Sequence, residues 1–155
     1  AGNSNADASG FTPANCSNVI TVAATNRSGN RTYYSNYGET VEISAPGGDS
    51  SGYVLSTWND GTQGPGNDTY AYMMGTSMSA PHVSGVASLL YSYNPSLTPS
   101  QVLSLLQSTA TSFPSDSSCS TATCGSGIVN AGAALAALIP PDLLFDNFLP
   151  LIIRE

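Results

Sequence analysis

A serine stands at the start of a predicted helix, and its hydroxyl is the clearest candidate nucleophile in the sequence. It is Ser77, within the run Gly-Thr-Ser-Met-Ser-Ala-Pro-His-Val-Ser-Gly at residues 75–85. The first turn of a helix has unpaired backbone N–H groups and the positive end of the helix dipole. These groups favour an alkoxide-like nucleophile and can hold an oxyanion. A serine that only caps the helix would suit the same position.

The single histidine of the sequence, His82, is a poor general base for this serine. It follows Ser77 by five positions on the same predicted helix, so the two side chains diverge by roughly 140°. We therefore expect His82 to be packed and hydrogen-bonded rather than catalytic. Since no other histidine is present, none of the acidic residues has a candidate histidine partner either.

Two separated motifs resemble those of the subtilisin-like serine proteases, the subtilases. Residues 75–85 are similar to the active-site serine signature of that family, and Ala1-Gly2-Asn3 resembles its Ala-Gly-Asn segment. Further segments are similar to the proteinase K branch in order and spacing, namely residues 3–8, 13–14, 35–38, 45–47 and 55–58. The resemblance extends from Ala1 to about Leu138.

The resemblance implies roles for four residues. Ser77 would attack the scissile carbonyl of a peptide or protein substrate, and its backbone N–H with the Asn3 side-chain amide would hold the oxyanion. Ala1 and Gly2 would form a wall of the primary specificity pocket. The histidine and aspartate of the family's triad would precede Ala1, because the subtilisin order is Asp, His, Ser. They are absent from this sequence.

The chain therefore resembles the C-terminal half of the catalytic domain of an extracellular serine endopeptidase. Its partner would be the N-terminal half of the same domain, and without that half it should not hydrolyse peptides by the triad mechanism. A non-catalytic subtilase-like module, which binds a partner or packs structurally, is the alternative. The upstream sequence of the parent would separate these two functions.

A calcium site is a further implication of the resemblance. The matching positions for two backbone carbonyls and one carboxylate are Ser17, Val19 and Glu42. Glutamate supplies the oxygen ligand that Ca²⁺ needs, although it is one methylene longer than the family's aspartate. A solvated strand carboxylate is the other interpretation of Glu42. The chemistry itself requires no cofactor, and any calcium would be structural.

Composition excludes two classes of function. Three Lys and Arg against ten Asp and Glu give a formal net charge of −7, which opposes binding to nucleic-acid phosphates. No uninterrupted run approaches the roughly 20 apolar residues of a membrane helix, because prolines and acids break up residues 131–153.

Charged residues make up only 8% of the chain, a composition common in secreted proteins. No signal peptide is recognisable at Ala1, and the sequence reads as part of a longer protein.

The three cysteines favour an oxidising compartment. Cys119 and Cys124 bracket a short polar loop, typical of a local disulfide, although two free thiols remain the alternative. A zinc site is disfavoured because the only histidine is distant in sequence. Cys16 is either a buried free thiol or paired with a cysteine elsewhere in the parent chain, and we favour the second.

Hydrophobic patterning predicts an α/β fold that is mainly a parallel sheet, with a buried helix starting at the nucleophile. Strands are expected at residues 19–23, 41–45 and 54–57, and helices at residues 77–93, from residue 99, and from Asn130 to about Leu138. Thr98, Pro99 and Gln101 form a helix-start signature with a capping box. We expect residues 1–138 to form the C-terminal part of a catalytic domain and residues 139–155 a tail or linker.

Overall fold

The protein structure is a computed structural model that describes residues 1–139. In chain order the elements are a 3₁₀ turn at Ala8–Gly10, β1 (Val22–Thr25), β2 (Ile43–Pro46), β3 (Val54–Asn59), β4 (Asp68–Met73), α1 (Thr76–Tyr93), α2 (Pro99–Ser108), α3 (Thr121–Cys124) and α4 (Ala131–Ala136). Residues 140–155 of the predicted tail lie outside the described residues.

A parallel pair of strands forms the centre of the fold. β1 and β2 run side by side, with Val22 opposite Ile43 and Thr25 opposite Pro46. Ser44 of β2 also forms a parallel bridge with Ile128, so an extended segment before α4 continues the sheet. Every residue of β1 is buried, which agrees with the small and β-branched composition of a strand covered on both faces.

Helix α1 covers one face of this sheet. The main core cluster consists of Val22, Ile43, Ala45, Val83, Val86, Leu90, Val102, Leu106 and Ala134, and so joins the sheet to α1, α2 and α4. A second cluster, Ala8, Ala14, Ala23 and Val41, covers the opposite face. Only one side of α1 is buried, because Leu89 and Tyr93 on its other side are 50% and 46% exposed.

An antiparallel hairpin leads into α1. β3 pairs with β4, with Val54 opposite Met73 and Asn59 opposite Asp68. The Asn59 side chain ties the connecting loop, since its Oδ1 accepts from Gly66 N at 2.7 Å and its Nδ2 donates to Asp68 Oδ1 at 3.0 Å. The sequence predicted the strand at residues 54–57 but not its pairing, because the loop is too long for the short turns that identify hairpins.

The helix ends follow the predicted capping residues. Thr98 and Gln101 form the expected capping box at the start of α2, with Gln101 Oε1 accepting from Thr98 N at 2.8 Å. Asn130 caps α4 by accepting from Ala133 N at 2.9 Å. Within residues 1–139, no helix is both long and apolar enough to cross a membrane.

Both central strands begin later than their sequence patterns predicted, at Val22 rather than residue 19 and at Ile43 rather than residue 41. The backbone before β1 is held by one backbone hydrogen bond, from Glu42 N to Thr21 O at 3.0 Å, and by side chains. Thr21 N donates to the Glu42 carboxylate, and Thr21 Oγ1 donates to Ala14 O at 2.8 Å.

One disulfide is present among the described residues. Cys119 and Cys124 are bonded, as the short loop between them predicted. Cys16 is exposed and forms no disulfide within residues 1–139. The expectation that Cys16 is buried if it is free is therefore wrong, and its pairing with a cysteine elsewhere in the parent chain stays a prediction.

Replacing either of two buried serines by alanine should change the free energy of unfolding differently. Ser79 Oγ is buried and has no hydrogen-bond partner within residues 1–139, whereas Ser44 Oγ donates to Cys124 O at 2.7 Å. Ser44→Ala should lower the free energy of unfolding by about 1–3 kcal/mol, because it leaves a buried acceptor unpaired. Ser79→Ala should leave it unchanged or raise it. Urea denaturation of the parent protein measures both, and an equal loss in the two variants would contradict this prediction.

Candidate active site

Ser77 lies at an exposed position in the first turn of α1. Gly75 precedes the helix with φ of 149°, a conformation that favours glycine. Its N–H donates to Gly47 O at 2.9 Å, and its carbonyl accepts from Met78 N at 2.9 Å. The turn that presents Ser77 is therefore fixed by backbone hydrogen bonds on both sides.

The support beneath this turn is a buried tyrosine. The Tyr34 hydroxyl donates to Gly48 O at 2.6 Å, with Gly47 O 2.9 Å away. Burial raises the pKa of Tyr34, so the hydroxyl keeps its proton and remains a donor at neutral pH. Because Gly47 O also accepts from Gly75 N, Tyr34 helps to hold the start of α1 in place.

The Asn3 side chain is bonded to the first residue of α1. Asn3 Oδ1 accepts from Thr76 N at 2.9 Å and from Thr76 Oγ1 at 3.0 Å. Thr76 Oγ1 in turn accepts from Gly2 N at 3.2 Å. Since the oxygen of the Asn3 carboxamide is used in this way, its Nδ2 donor is turned outward from Thr76.

The Asn3 amide and the Ser77 backbone N–H lie close to the same point. A Cβ atom built on Gly75 would be 3.6 Å from Asn3 Nδ2 and 3.7 Å from Ser77 N. Both nitrogens therefore border one small volume at Gly75, which Met78 Sδ also borders at 3.7 Å. The structure thus brings together the two residues that the sequence proposed for an oxyanion hole, although they are 74 positions apart in the chain.

A cavity of about 370 Å³ opens on one side of Ser77. Ala1 and Gly2, the predicted pocket wall, line it together with Ser77 and Thr76. The remaining lining is largely apolar and consists of Phe11, Thr12, Pro13, Ala14, Val19, Ile20, Thr21, Val22 and Ala80. This largely apolar lining suits an uncharged side chain of a bound molecule.

A second cavity of about 400 Å³ also reaches Ser77, between α1 and the hairpin. Met78, Pro81 and His82 line it from the helix, and Val54, Leu55, Ser56, Thr57, Trp58 and Met73 line it from the hairpin. His82 Nδ1 is 2.7 Å from Met78 O, one turn earlier in the helix. The expectation that His82 is hydrogen-bonded therefore holds, but its side chain is exposed rather than packed.

The predicted calcium ligands lie where the chain enters β1. Glu42 is half-buried, and its carboxylate accepts the Thr21 N–H. Within residues 1–139, neither the Ser17 nor the Val19 carbonyl accepts a backbone hydrogen bond. That part of the chain contains no group of three or more His, Cys, Asp or Glu side chains able to hold a metal, so a site here would depend on backbone carbonyls and water.

Thr76 is a functional residue that the sequence reasoning missed. It is buried and connects Gly2, Asn3 and the helix start through its hydroxyl and its N–H. The available signal was a hydroxyl-bearing residue at the first helical position, beside the candidate nucleophile. Its long-range partner could not be read from local spacing.

The sequence has well-defined relatives. Residues 1–131 match the subtilase family. An extracellular protease of Xanthomonas campestris is 49% identical over 140 residues, covering 90% of this chain and 23% of that protein. Subtilisin BL of Lederbergia lenta is 42% identical over 133 residues, covering 86% of this chain and 43% of that protein. The chain thus spans less than half the length of these relatives.

Solved structures of proteases are also similar to this chain. A protease from Pseudoalteromonas arctica aligns with a TM-score of 0.81 and 46% identity, covering 90% of this chain and 41% of that one. A cold-adapted subtilisin-like serine proteinase aligns with a TM-score of 0.66 and 41% identity, covering 79% of this chain and 41% of that one. The α/β fold predicted from the sequence is confirmed.

Proposed function

The chain belongs to the subtilase family, and we propose that it is the C-terminal part of the catalytic domain of an extracellular serine endopeptidase. Residues 1–138 would form that part, and residues 139–155 a separate tail or linker. The observation that carries the proposal is the approach of Asn3 Nδ2 and Ser77 N to within 3.6 and 3.7 Å of one point at Gly75. A binding module has no need of this arrangement.

In the proposed reaction, Ser77 Oγ attacks the carbonyl carbon of a peptide bond. The Ser77 N–H and Asn3 Nδ2 donate hydrogen bonds to the oxyanion that forms. The serine proton passes to a histidine, which returns it to the leaving amine as the C–N bond breaks. A water molecule then hydrolyses the acyl-enzyme in the same way, releasing the acid and restoring Ser77.

The histidine and its orienting aspartate would come from the upstream half of the domain. His82 is unsuited to the role, because its position five residues after Ser77 on α1 makes the two side chains diverge by roughly 140°. The base would reach Ser77 from the cavity of about 400 Å³ between α1 and the hairpin, which Ser77 also lines. Without that half, the chain would retain the oxyanion donors but lack the base.

The open side of α1 supports this placement of the upstream half. Helix α1 contains no Asp, Glu, Lys or Arg along its 18 residues, although much of its surface is exposed. Gly85 is exposed in mid-helix, and a Cβ placed on it would have no atom within 4 Å, so nothing in the described residues explains this weak helix former. An uncharged face with a glycine is typical of a surface that another backbone approaches closely.

The substrate would be a peptide or protein, with one side chain in the cavity lined by Ala1 and Gly2. The small size of these two residues leaves space in the cavity, and the apolar lining favours an uncharged side chain there. No nucleic-acid or membrane partner is proposed, in keeping with the net charge of −7.

Secretion is part of the proposal. Two relatives are named an extracellular protease and an extracellular basic protease, from Xanthomonas campestris and Dichelobacter nodosus. The Cys119–Cys124 disulfide is of a kind that persists in oxidising compartments.

A structural calcium ion is proposed beside β1, held by the Ser17 and Val19 carbonyls and the Glu42 carboxylate. These hard oxygen donors suit Ca²⁺, and water would complete its six to eight ligands. The ion would supply stability to the segment entering β1 and would take no part in the bond cleavage.

Reaction with a fluorophosphonate tests the nucleophile. In the parent protein, Ser77 Oγ should displace fluoride from phosphorus and become covalently labelled, as located by peptide mass spectrometry. Ser77→Ala should remain unlabelled, while Ser84→Ala, on the open side of the same helix, should label normally. The isolated chain should label far more slowly, because it lacks the base. An intact parent that does not react at Ser77 would favour the non-catalytic module.

The hydroxyl of Thr76 should contribute to turnover through Asn3. Thr76→Val keeps the size of the side chain but removes one of the two hydrogen bonds to Asn3 Oδ1. A loss of about 1.5 kcal/mol for such a bond corresponds to a roughly tenfold lower kcat. Thr76→Ser, which keeps the hydroxyl, is the matched control. Steady-state kinetics on a peptide amide measure both, and equal kcat values would refute the role.

Calcium should stabilise the parent protein through Glu42. Saturation at 100 times the Kd would add about 2.7 kcal/mol to the free energy of unfolding. Glu42→Gln should abolish the calcium-dependent rise in Tm and the heat of binding in titration calorimetry. Glu39→Gln, an exposed change nearby in sequence, should retain both. Indistinguishable calcium responses in the two variants would remove the site.

A further inference from the structure

We propose that Asn36 is a positioning residue, which holds the backbone on both sides of Asn3 so that the Asn3 amide meets the oxyanion. This inference rests on the proposed function, because it assigns Asn36 an effect on that reaction. Asn36 does not itself line the proposed substrate cavity, although it binds Ala1 and Gly2, which do. It acts only through the segment that carries Asn3.

The Asn36 side chain is fully buried and uses both ends of its carboxamide. Its Oδ1 accepts from Ser4 N at 2.8 Å and from Ala6 N at 3.2 Å, after Asn3 in the chain. Its Nδ2 donates to Ala1 O at 3.0 Å, before Asn3. The Asn36 backbone N–H adds a fourth bond, to Gly2 O at 2.9 Å.

Asn3 lies in a segment that no strand ladder supports. β1 begins at Val22, so residues 1–6 lie outside the named strands. Besides Asn36, backbone hydrogen bonds hold them, from Asn5 N to Tyr34 O at 2.8 Å and from Tyr37 N to Ala6 O at 3.0 Å. Gly2 and Asn5 have positive φ values of 106° and 50°, which shows how irregular that path is. Thr76 fixes the Asn3 side chain, whereas Asn36 fixes the backbone from which that side chain extends.

Few other residues could replace Asn36. The site needs an acceptor for two N–H groups and a donor for one carbonyl, a combination that aspartate and leucine lack. The packing is also tight, because a Cβ on Gly2 would lie 2.5 Å from Asn36 Nδ2. A side chain at position 2 would therefore collide with the Asn36 amide.

A displaced oxyanion donor has a large effect on rate. Misplacement of a reacting or stabilising group by 1 Å can cost about 10²-fold in turnover. Asn36→Asp keeps the side-chain size but turns the donor to Ala1 O into a second acceptor, so the carbonyl and the new oxygen repel each other. Ala1 and the residues that follow would then move, and Asn3 with them.

A double-mutant cycle between Asn36 and Asn3 tests the proposal in the parent protein. Asn36→Asp should lower kcat for a peptide amide about 10- to 100-fold when Asn3 is present. In an Asn3→Ala background, the same change should lower kcat less than about threefold, because the group that Asn36 positions is already gone. Circular dichroism and urea denaturation verify that each variant is folded at the assay temperature.

The matched control is Asn130→Asp. Asn130 also joins a backbone N–H to a second partner, as its Nδ2 donates to Thr111 Oγ1 at 3.0 Å, but it caps α4. Its replacement should leave kcat unchanged, because aspartate caps a helix about as well as asparagine does. If Asn36→Asp does not fold, Asn36→Ser, which adds no charge, is compared in the same two backgrounds.

The outcomes distinguish failure of the positioning role of Asn36 from failure of the proposed function. A large effect of the Asn36 change that disappears without Asn3 supports the positioning role. The same fold-loss in both backgrounds overturns it while leaving the proposed function intact. If Asn3→Ala leaves hydrolysis by the parent protein unchanged, the proposed oxyanion role is overturned, and the role of Asn36 with it.

Discussion

The geometry around Ser77 depends on the contact between the Asn3 carboxamide and Thr76. These residues are separated by 73 positions, yet Thr76 N and Oγ1 both bind Asn3 Oδ1. An amide whose oxygen is bound twice cannot rotate freely, so its nitrogen points in one direction. The start of α1 thus orients a donor from a distant, irregular segment while presenting its own N–H beside it. Preorganised donors of this kind need no reorganisation when charge develops on a substrate.

Small residues make this convergence possible. A Cβ on Gly47 would lie 2.5 Å from Ala24 Cβ and 2.6 Å from Ser79 Oγ, so the loop after β2 contacts the sheet and α1 at backbone distance. That closeness lets Gly47 O receive the Gly75 N–H and lets Tyr34 bind the same loop from the other side. The helix start is therefore held by glycine backbone, and the Tyr34 hydroxyl fixes the loop that carries it. A larger residue at position 47 would push the start of α1 outward and so displace Ser77 without contacting it.

Local features of the fold were predictable, whereas long-range pairings were not. The capping box at Thr98 and the cap at Asn130 depend on residues three positions apart, so the sequence identified both. Ser77 and Asn3 were found through a family resemblance, since spacing alone would have allowed a simple helix cap. The partners of Thr76 and Asn36 escaped prediction because they lie many residues away. The pairing of β3 with β4 escaped because the loop at residues 60–67 has no short-turn signature.

The absence of acidic and basic residues from α1 also bears on how such a protein can be made. Leu89 and Tyr93 are about half exposed on a helix without a single Asp, Glu, Lys or Arg to keep it in water. Ribosomal synthesis proceeds from the N-terminus, and domains begin to fold as they emerge. An upstream half of the kind proposed would already be outside the ribosome when α1 appears. Helix α1 could then pack against the upstream half as soon as it leaves the ribosome, and its uncharged face would not be exposed to other proteins.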